Sequence, residues 1–126
     1  MLVDAPCTGT GTWRRNPDAR LRLTRTDLDE LVVKQSGILD AAAALVRPGG
    51  RLIYATCSVL REENAAQIDA FLARSPAFSL LDLRDPATLE MPLAQSALSA
   101  DAPFLRLTPR LHGTDGFFTA VLARSA

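Results

Sequence analysis

The sequence carries no net charge: 14 lysines and arginines stand against 14 aspartates and glutamates, with one histidine. Bulk basicity therefore gives no sign of a nucleic-acid binder. Cysteine is scarce. Cys7 and Cys57 are the only two, too few for a disulfide scaffold, and a cytosolic setting keeps such thiols reduced. Neither belongs to a Cys-x-x-Cys pair, and with His112 they make only three soft ligands, which disfavours a zinc site. No apolar run reaches the roughly 18 residues that span a bilayer. No apolar N-terminal stretch with basic flanks marks a signal peptide. Internal repeats and low-complexity tracts are absent as well. The expectation is a soluble, cytoplasmic protein with no metal and no membrane contact.

What is present is a chain of 126 residues, 48% of them hydrophobic. That is enough for one compact domain and too apolar for overall disorder. Arginine supplies every basic residue except Lys34. Arg14, Arg15, Arg20, Arg22 and Arg25 cluster with only Asp18 among them. Such a cluster reads either as a solvated loop or as a set of phosphate contacts.

Hydrophobic periodicity divides the chain. Residues 1–3 read as the tail of a strand. Residues 6–26, rich in Gly, Thr, Arg and Pro, read as a long loop of the kind that carries function. A helix follows, with Asp27 as N-cap and Glu30 completing a capping box. Leu28, Leu31, Val32, Gln35, Ile38, Leu39, Ala42, Leu45 and Val46 form its stripe, Gly37 interrupts it, and Pro48-Gly49-Gly50 ends it. Residues 51–56 predict a second strand, whose unbroken run Leu52-Ile53-Tyr54 suits burial on both faces of a parallel sheet. A second helix is expected over 62–74, with Ala65, Ile68, Phe71 and Leu72 on one face, and a third strand over 78–83. Residues 84–112 are weakly patterned, with Pro86, Pro92, Pro103 and Pro109; loops are expected, with a short strand near Leu105. A last strand over 117–123 follows the turn signal Gly113-Thr114-Asp115-Gly116. Strand, helix, strand, helix, strand is the α/β pattern, in which ligands sit beyond the carboxyl ends of the strands.

Asp4-Ala5-Pro6-Cys7 and Thr56-Cys57-Ser58 both occupy that position. Each puts a cysteine just past an apolar run, beside Thr, Ser, Gly and Pro. A buried cysteine is commonly an inert small hydrophobe, but two thiols and a carboxylate at one sheet edge suit a demanding reaction. Carbon 5 of cytosine is a poor nucleophile. A thiolate adding at C6 leaves electron density on C5, which can then attack a methyl sulfonium. The reaction needs a sulfur nucleophile, a group that protonates or hydrogen-bonds N3, and a means of removing the C5 proton and expelling the sulfur. Cys57, Asp4 and Cys7 meet those needs if the two strands are neighbours. Gly9-Thr10-Gly11-Thr12 fits no phosphate loop. The Gly-Lys-Ser/Thr ending is missing, and Arg14 stands where the third glycine of the dinucleotide fingerprint would be.

Residues 4–18, Asp-Ala-Pro-Cys-Thr-Gly-Thr-Gly-Thr-Trp-Arg-Arg-Asn-Pro-Asp, resemble motif IV of the Sun/Fmu family of RNA cytosine-5 methyltransferases. Residues 48–58, Pro-Gly-Gly-Arg-Leu-Ile-Tyr-Ala-Thr-Cys-Ser, resemble its motif VI, continued by Glu62-Glu63-Asn64. Asp115-Gly116-Phe117-Phe118 is similar to its closing segment. The likeness runs over nearly the whole chain, weakest over 84–112, and is nearest to bacterial members that methylate a cytosine of small-subunit ribosomal RNA. It implies a Rossmann-like α/β domain with a mostly parallel sheet and an antiparallel last strand. It also implies S-adenosyl-L-methionine as methyl donor and RNA as partner. It gives Cys57 the attack on C6 and Cys7 the breakdown of the covalent adduct. Asp4 would lie between base and cofactor, contacting the S-adenosylmethionine side and helping to hold N3. Arg14 and Arg15 would face phosphate. A target base must leave its stack or be single-stranded to reach such a site.

The resemblance further implies that residues 1–126 are a partial catalytic domain, its C-terminal portion. The family's glycine-rich cofactor loop and the acidic residues that hold ribose and adenine have no counterpart here. The first strand would then be an exposed apolar edge, prone to pairing with another chain, and the chain alone would bind cofactor very weakly. The alternative is a non-catalytic remnant acting as an RNA- or protein-binding module. A methyltransferase with an amine target is disfavoured, because Cys7 follows the proline of Asp-x-Pro where a second proline and an aromatic are expected.

Overall fold

The apolar runs of the chain assemble into one mixed sheet. The computed structural model describes residues 1–88, 98 and 102–126. Within them, β1 (Leu2–Asp4), β2 (Arg51–Thr56), β3 (Phe78–Leu80), β4 (Leu105–Leu107) and β5 (Phe117–Arg124) join in the order β1-β2-β5-β3, with β4 also on β5. β1 and β2 are parallel, and β5 runs antiparallel to β2, β3 and β4. Four strands thus point one way and the last runs against them, as the resemblance implies. β3 and β4 lie end to end along one side of β5, against residues 122–124 and 117–119 respectively. The helices are α1 (Ala19–Arg22), α2 (Arg25–Leu45), α3 (Ala65–Arg74) and α4 (Pro109–His112).

Strand alternation puts Val3, Leu52, Tyr54, Phe118, Ala120 and Leu122 in one buried cluster, with Leu39 and Ala42 of α2, Val46, and Ile68 and Phe71 of α3. Burying each large apolar side chain there contributes about 1.5–3 kcal/mol. Tyr54 meets Phe118, and Phe71 meets Phe78, in edge-to-face contacts of 6.5 and 5.3 Å between ring centroids. The opposite face is less covered. Ile53 is half-buried and Leu2 is 66% exposed. The expected burial of β2 on both faces is therefore corrected: its Leu52, Tyr54 and Thr56 side is sealed, while Ile53 is not. β1 is an edge strand, as expected, pairing with β2 alone among the described strands.

Local chemistry moves several boundaries. Helix α2 starts two residues before the expected N-cap. Thr24, extended at φ −111°, ψ 165°, is the cap; its hydroxyl accepts from the Asp27 backbone N–H (3.2 Å), and the Asp27 carboxylate accepts the Thr24 backbone N–H (2.8 Å). Asp27 thus fills the acidic third position of the box rather than the cap itself. The helix stops at Leu45, short of Pro48, since a residue preceding proline is driven out of the helical region. The second helix is also split. A 3-10 turn spans Arg61–Glu63, Asn64 breaks at φ −114°, ψ −104°, and α3 follows. β3 ends at Leu80, not 83: Leu81 N–H makes one more bond to Val121 O (2.9 Å), then Asp82 accepts from Arg84 N–H (2.9 Å) and turns the chain. The expected 6–26 loop contains a 3-10 turn at Thr10–Thr12 and the short α1. The short strand expected near Leu105 is β4, whereas 89–97, with Pro92, and 99–101 fall outside the described residues. No helix is long and apolar enough to cross a membrane among the described residues.

Candidate active site

The parallel pairing of β1 with β2 decides where the two cysteines go. Register sets Asp4 beside Ala55, and the Ala5 N–H extends the ladder to Ala55 O at 2.9 Å. Both strands then end at one level. Cys7 and Cys57, just past those ends, meet with their sulfurs 3.4 Å apart in a thiol–thiol hydrogen bond, each half-buried and free of disulfide. Burial pushes the Cys7 thiol up to about 12; the Gly9 backbone N–H draws it down, and the hydrogen bond and charge of Cys57 add to the rise. At neutral pH Cys7 keeps its proton and can donate it toward the Cys57 sulfur.

Three loops close over this pair. Gly11 N–H donates to Cys57 O (2.9 Å), and Gly116 N–H donates to Gly11 O (2.8 Å). A β-carbon on Gly11 would lie 2.3 Å from Gly116 O and 2.7 Å from Cys57 O. Only glycine lets the loop after β1 wedge between the turn after β2 and the entry to β5. Thr10 and Ser58 hydroxyls lie 3.1 Å apart, and the Thr10 hydroxyl accepts from Val59 N–H (3.0 Å). The turn after Cys57 is thereby tied to the loop after Cys7.

Beneath the sulfurs lies a buried polar layer. Glu63, Gln35, Thr56, Ser58, Asn64, Gln67 and Thr10 are all buried. Gln67 donates to Val32 O (2.6 Å) and to Gln35 Oε1 (3.2 Å), and the Tyr54 hydroxyl donates to Glu63 O (2.7 Å). Burial, then the nearby Glu63 charge, raises the Tyr54 hydroxyl above its ordinary value. Reading the sequence missed this layer as a unit. Its one visible signal was Gln35, a polar residue within an apolar helical stripe, which burial obliges to find partners.

The remaining expected residues are spread around the pair. Asp4 is exposed at the end of β1, with no hydrogen-bond or ion-pair partner among the described residues. Arg15 is engaged by Asp115, with Nη2–Oδ2 at 2.5 Å and Nε–Oδ2 at 2.8 Å. That bond, backed by the charges of Arg15 and Arg14, holds the Asp115 carboxyl below the usual range. Arg14 is exposed and reaches Gly113 O at 3.5 Å. His112 accepts from Thr108 N–H through Nδ1 (2.9 Å). Among the described residues no three of His, Cys, Asp and Glu are placed to share a metal ion. A cleft of about 250 Å3 adjoins the Cys57 turn, lined by Ser58, Val59, Asn64, Leu107, Thr108, Phe117, Phe118 and the arginines Arg61 and Arg106. Its lining mixes apolar side chains with Arg106 and with Arg61, which pairs with Asp69 at 3.5 Å, and neither cysteine is part of it. The thiol pair itself can carry a nucleophilic and a proton-donating role at once.

Comparison with known proteins gives one consistent result. The profile of the family described as 16S rRNA methyltransferase RsmB/F matches residues 1–123. Ribosomal RNA small subunit methyltransferase B of Shewanella oneidensis is 42% identical over 125 residues, 99% of this chain and 27% of that protein. Its Salmonella arizonae counterpart is 41% identical over 124 residues, 98% of this chain and 26% of that protein. The chain thus spans about a quarter of the length of the curated relatives it matches. Among solved structures, PH0851 superposes with a TM-score of 0.81 at 40% identity, covering 96% of this chain and 25% of that one. NSun6 from Pyrococcus horikoshii, crystallised with SFG, superposes with a TM-score of 0.76 at 26% identity, covering 99% and 29%.

Proposed function

The chain belongs to the 16S rRNA methyltransferase RsmB/F family, and from that premise we propose that its paired cysteines serve methyl transfer to C5 of an RNA cytosine. The observation that carries this reading is the 3.4 Å separation of the Cys7 and Cys57 sulfurs at the ends of adjacent parallel strands. Cys57 is the nucleophile. Its sulfur bonds to C6 and the C5–C6 double-bond electrons move onto C5, which becomes the attacking carbon. N3 takes up the proton that the Cys57 thiol gives up, and the Asp4 carboxylate accepts a hydrogen bond from that N3–H. Once C5 carries the methyl group, a water molecule takes the C5 proton, the double bond returns, the C6–S bond breaks and N3 gives its proton back. Cys57 leaves as a thiolate, and the Cys7 S–H beside it donates to that departing charge.

S-adenosylmethionine supplies an electrophilic methyl group when bound. Asp4, an exposed carboxylate without a partner at the carboxyl end of β1, fits one contact to the hydroxyl or ammonium groups of such a molecule. The NSun6 neighbour was crystallised with SFG, an analogue of it. The partner proposed is RNA, and ribosomal RNA in particular, because the relatives above are named for the small-subunit RNA. The cleft next to the Cys57 turn suits that partner: Arg106 faces phosphate, and Arg61 joins it once released from Asp69. Arg14 remains available for the same task, while Arg15 must first be released from Asp115.

The test is RNA carrying 5-fluorocytosine, incubated with S-adenosylmethionine and the full gene product. Fluorine at C5 cannot leave as a proton does, so the adduct stays on the protein and survives denaturing electrophoresis. Wild type should trap the RNA and Cys57→Ala should not. Trapping by Cys57→Ala at the wild-type level removes the role assigned to Cys57. A non-catalytic binding module would trap no RNA even as wild type.

A further inference from the structure

Glu63 and Asn64 are neighbours in the chain, and each holds a different cysteine loop. Glu63 is 0% exposed. Its carboxylate accepts the Thr8 backbone N–H (2.8 Å), the Thr8 hydroxyl (2.6 Å) and the Gln35 amide (3.0 Å). The same Gln35 amide donates to Pro6 O at 2.9 Å. Pro6 and Thr8 are the residues that flank Cys7. Asn64 works on the other side. Its Oδ1 accepts the Thr56 hydroxyl (2.5 Å) and its Nδ2 donates to Ser58 O (2.8 Å). Thr56 and Ser58 are the residues that flank Cys57.

We propose that Glu63 and Asn64 form a double clamp of positioning residues, Glu63 with Gln35 fixing Cys7 and Asn64 fixing Cys57. A single peptide unit then sets the distance between the sulfurs. Neither side chain touches a sulfur, so neither is a catalytic residue. A buried acid and a buried amide are costly unless fully bonded, and both spend their bonds on the two cysteine loops. A site built on rigid supports loses rate steeply when a reacting group moves by even 1 Å. For its consequence in methyl transfer the clamp rests on the function proposed above; as a statement about sulfur placement it stands alone.

Phenylarsine oxide separates the two. One molecule bridges two adjacent thiols: two As–S bonds form, the oxide oxygen leaves with both thiol protons as water, and no electrons are transferred. The assay contains neither RNA nor S-adenosylmethionine, so it reads sulfur placement whether or not the protein methylates. Wild type should take up one equivalent, and Cys7→Ser or Cys57→Ser should abolish the bridge. Glu63→Ala and Asn64→Ala should each weaken bridging by about tenfold or more, and tenfold is ~1.4 kcal/mol. Glu63→Gln, which keeps an acceptor for the Thr8 N–H, should recover most of the loss. Thr8→Val, a milder change from the loop side, should weaken bridging in the same direction. Phe71→Leu, in the core of the same α3 helix, should bridge as wild type does at temperatures where circular dichroism shows every variant folded. The clamp is overturned if wild type takes up no arsenical, if Glu63→Ala and Asn64→Ala bridge normally, or if Phe71→Leu loses as much as they do.

Discussion

With the Cys7 thiol pushed up to about 12 by burial, the two sulfurs enter any reaction unequally. Cys7 holds its proton at pH 7 and can donate it to Cys57, 3.4 Å away. A donor there does little for the attack of Cys57 on carbon and much for its departure, because negative charge returns to sulfur as the C–S bond breaks. Cys7→Ala should therefore keep attack and lose release. On ordinary RNA a covalent complex should build up as a slow band in denaturing gels; normal turnover without that band removes Cys7 from the release step. The position of both cysteines was legible in the sequence, since each follows an apolar run and strands end where the runs end. Their supports were not. Glu63 and Asn64 stand at the expected start of the second helix and continue the motif VI likeness, neither of which gives them a task, and the break at Asn64 brings one side chain to each loop. Arg15 likewise reads as a free cation until Asp115, a hundred residues away, is folded against it.

Helix α2 shows how little of an element's boundary is set by its stripe. Its stripe residues Leu28, Gln35, Leu39 and Ala42 are buried as their spacing predicts, whereas Leu45 in the same stripe, the last residue of the helix, is 73% exposed. The start is set by a local bond between Thr24 and Asp27, which competes with the equally good motif three residues on. The end is closed by a long-range contact: the Arg124 guanidinium donates to Ala43 O and Val46 O, a cation at the carbonyl end of the helix. Gly37 sits mid-helix on an exposed face, and a β-carbon there would meet nothing within 4 Å. Gly37→Ala should therefore stabilise the protein by about 1 kcal/mol, the usual helix-propensity difference. That corresponds to a rise of roughly 4 °C in melting temperature, read by circular dichroism. A lower melting temperature would mean that α2 is not a continuous helix through residue 37.

At the scale of the whole molecule, the site's chemistry is written into stability against pH. The surface carboxyls with lowered values carry little of it. Asp82, held at about 2 by Arg84, and Asp115, lowered by Arg15, belong to surface pairs, and such pairs contribute little in solvent. The groups that matter are raised: Tyr54 is buried and Cys7 half-buried. Cys7 moves from 9.0 to about 12, and Tyr54 rises above 10.0, each chiefly through burial. Above its ordinary value, the unfolded chain gives up a proton that the folded chain keeps, so the unfolded state binds fewer protons and stability falls as pH rises. The contribution of Cys7 is fully present below about pH 9 and is lost as pH climbs toward 12. The urea midpoint should thus hold steady from pH 7 to 8.5 and decline from about pH 9 upward. Cys7→Ser and Tyr54→Phe should each flatten that decline, and the double variant more than either. Tyr54→Phe also leaves Glu63 O without its donor, so it should start about 1 kcal/mol lower at neutral pH. A variant that keeps the wild-type slope would show that its group is not held protonated by the fold, and for Cys7 that outcome would also undo the donor role assigned to it beside Cys57.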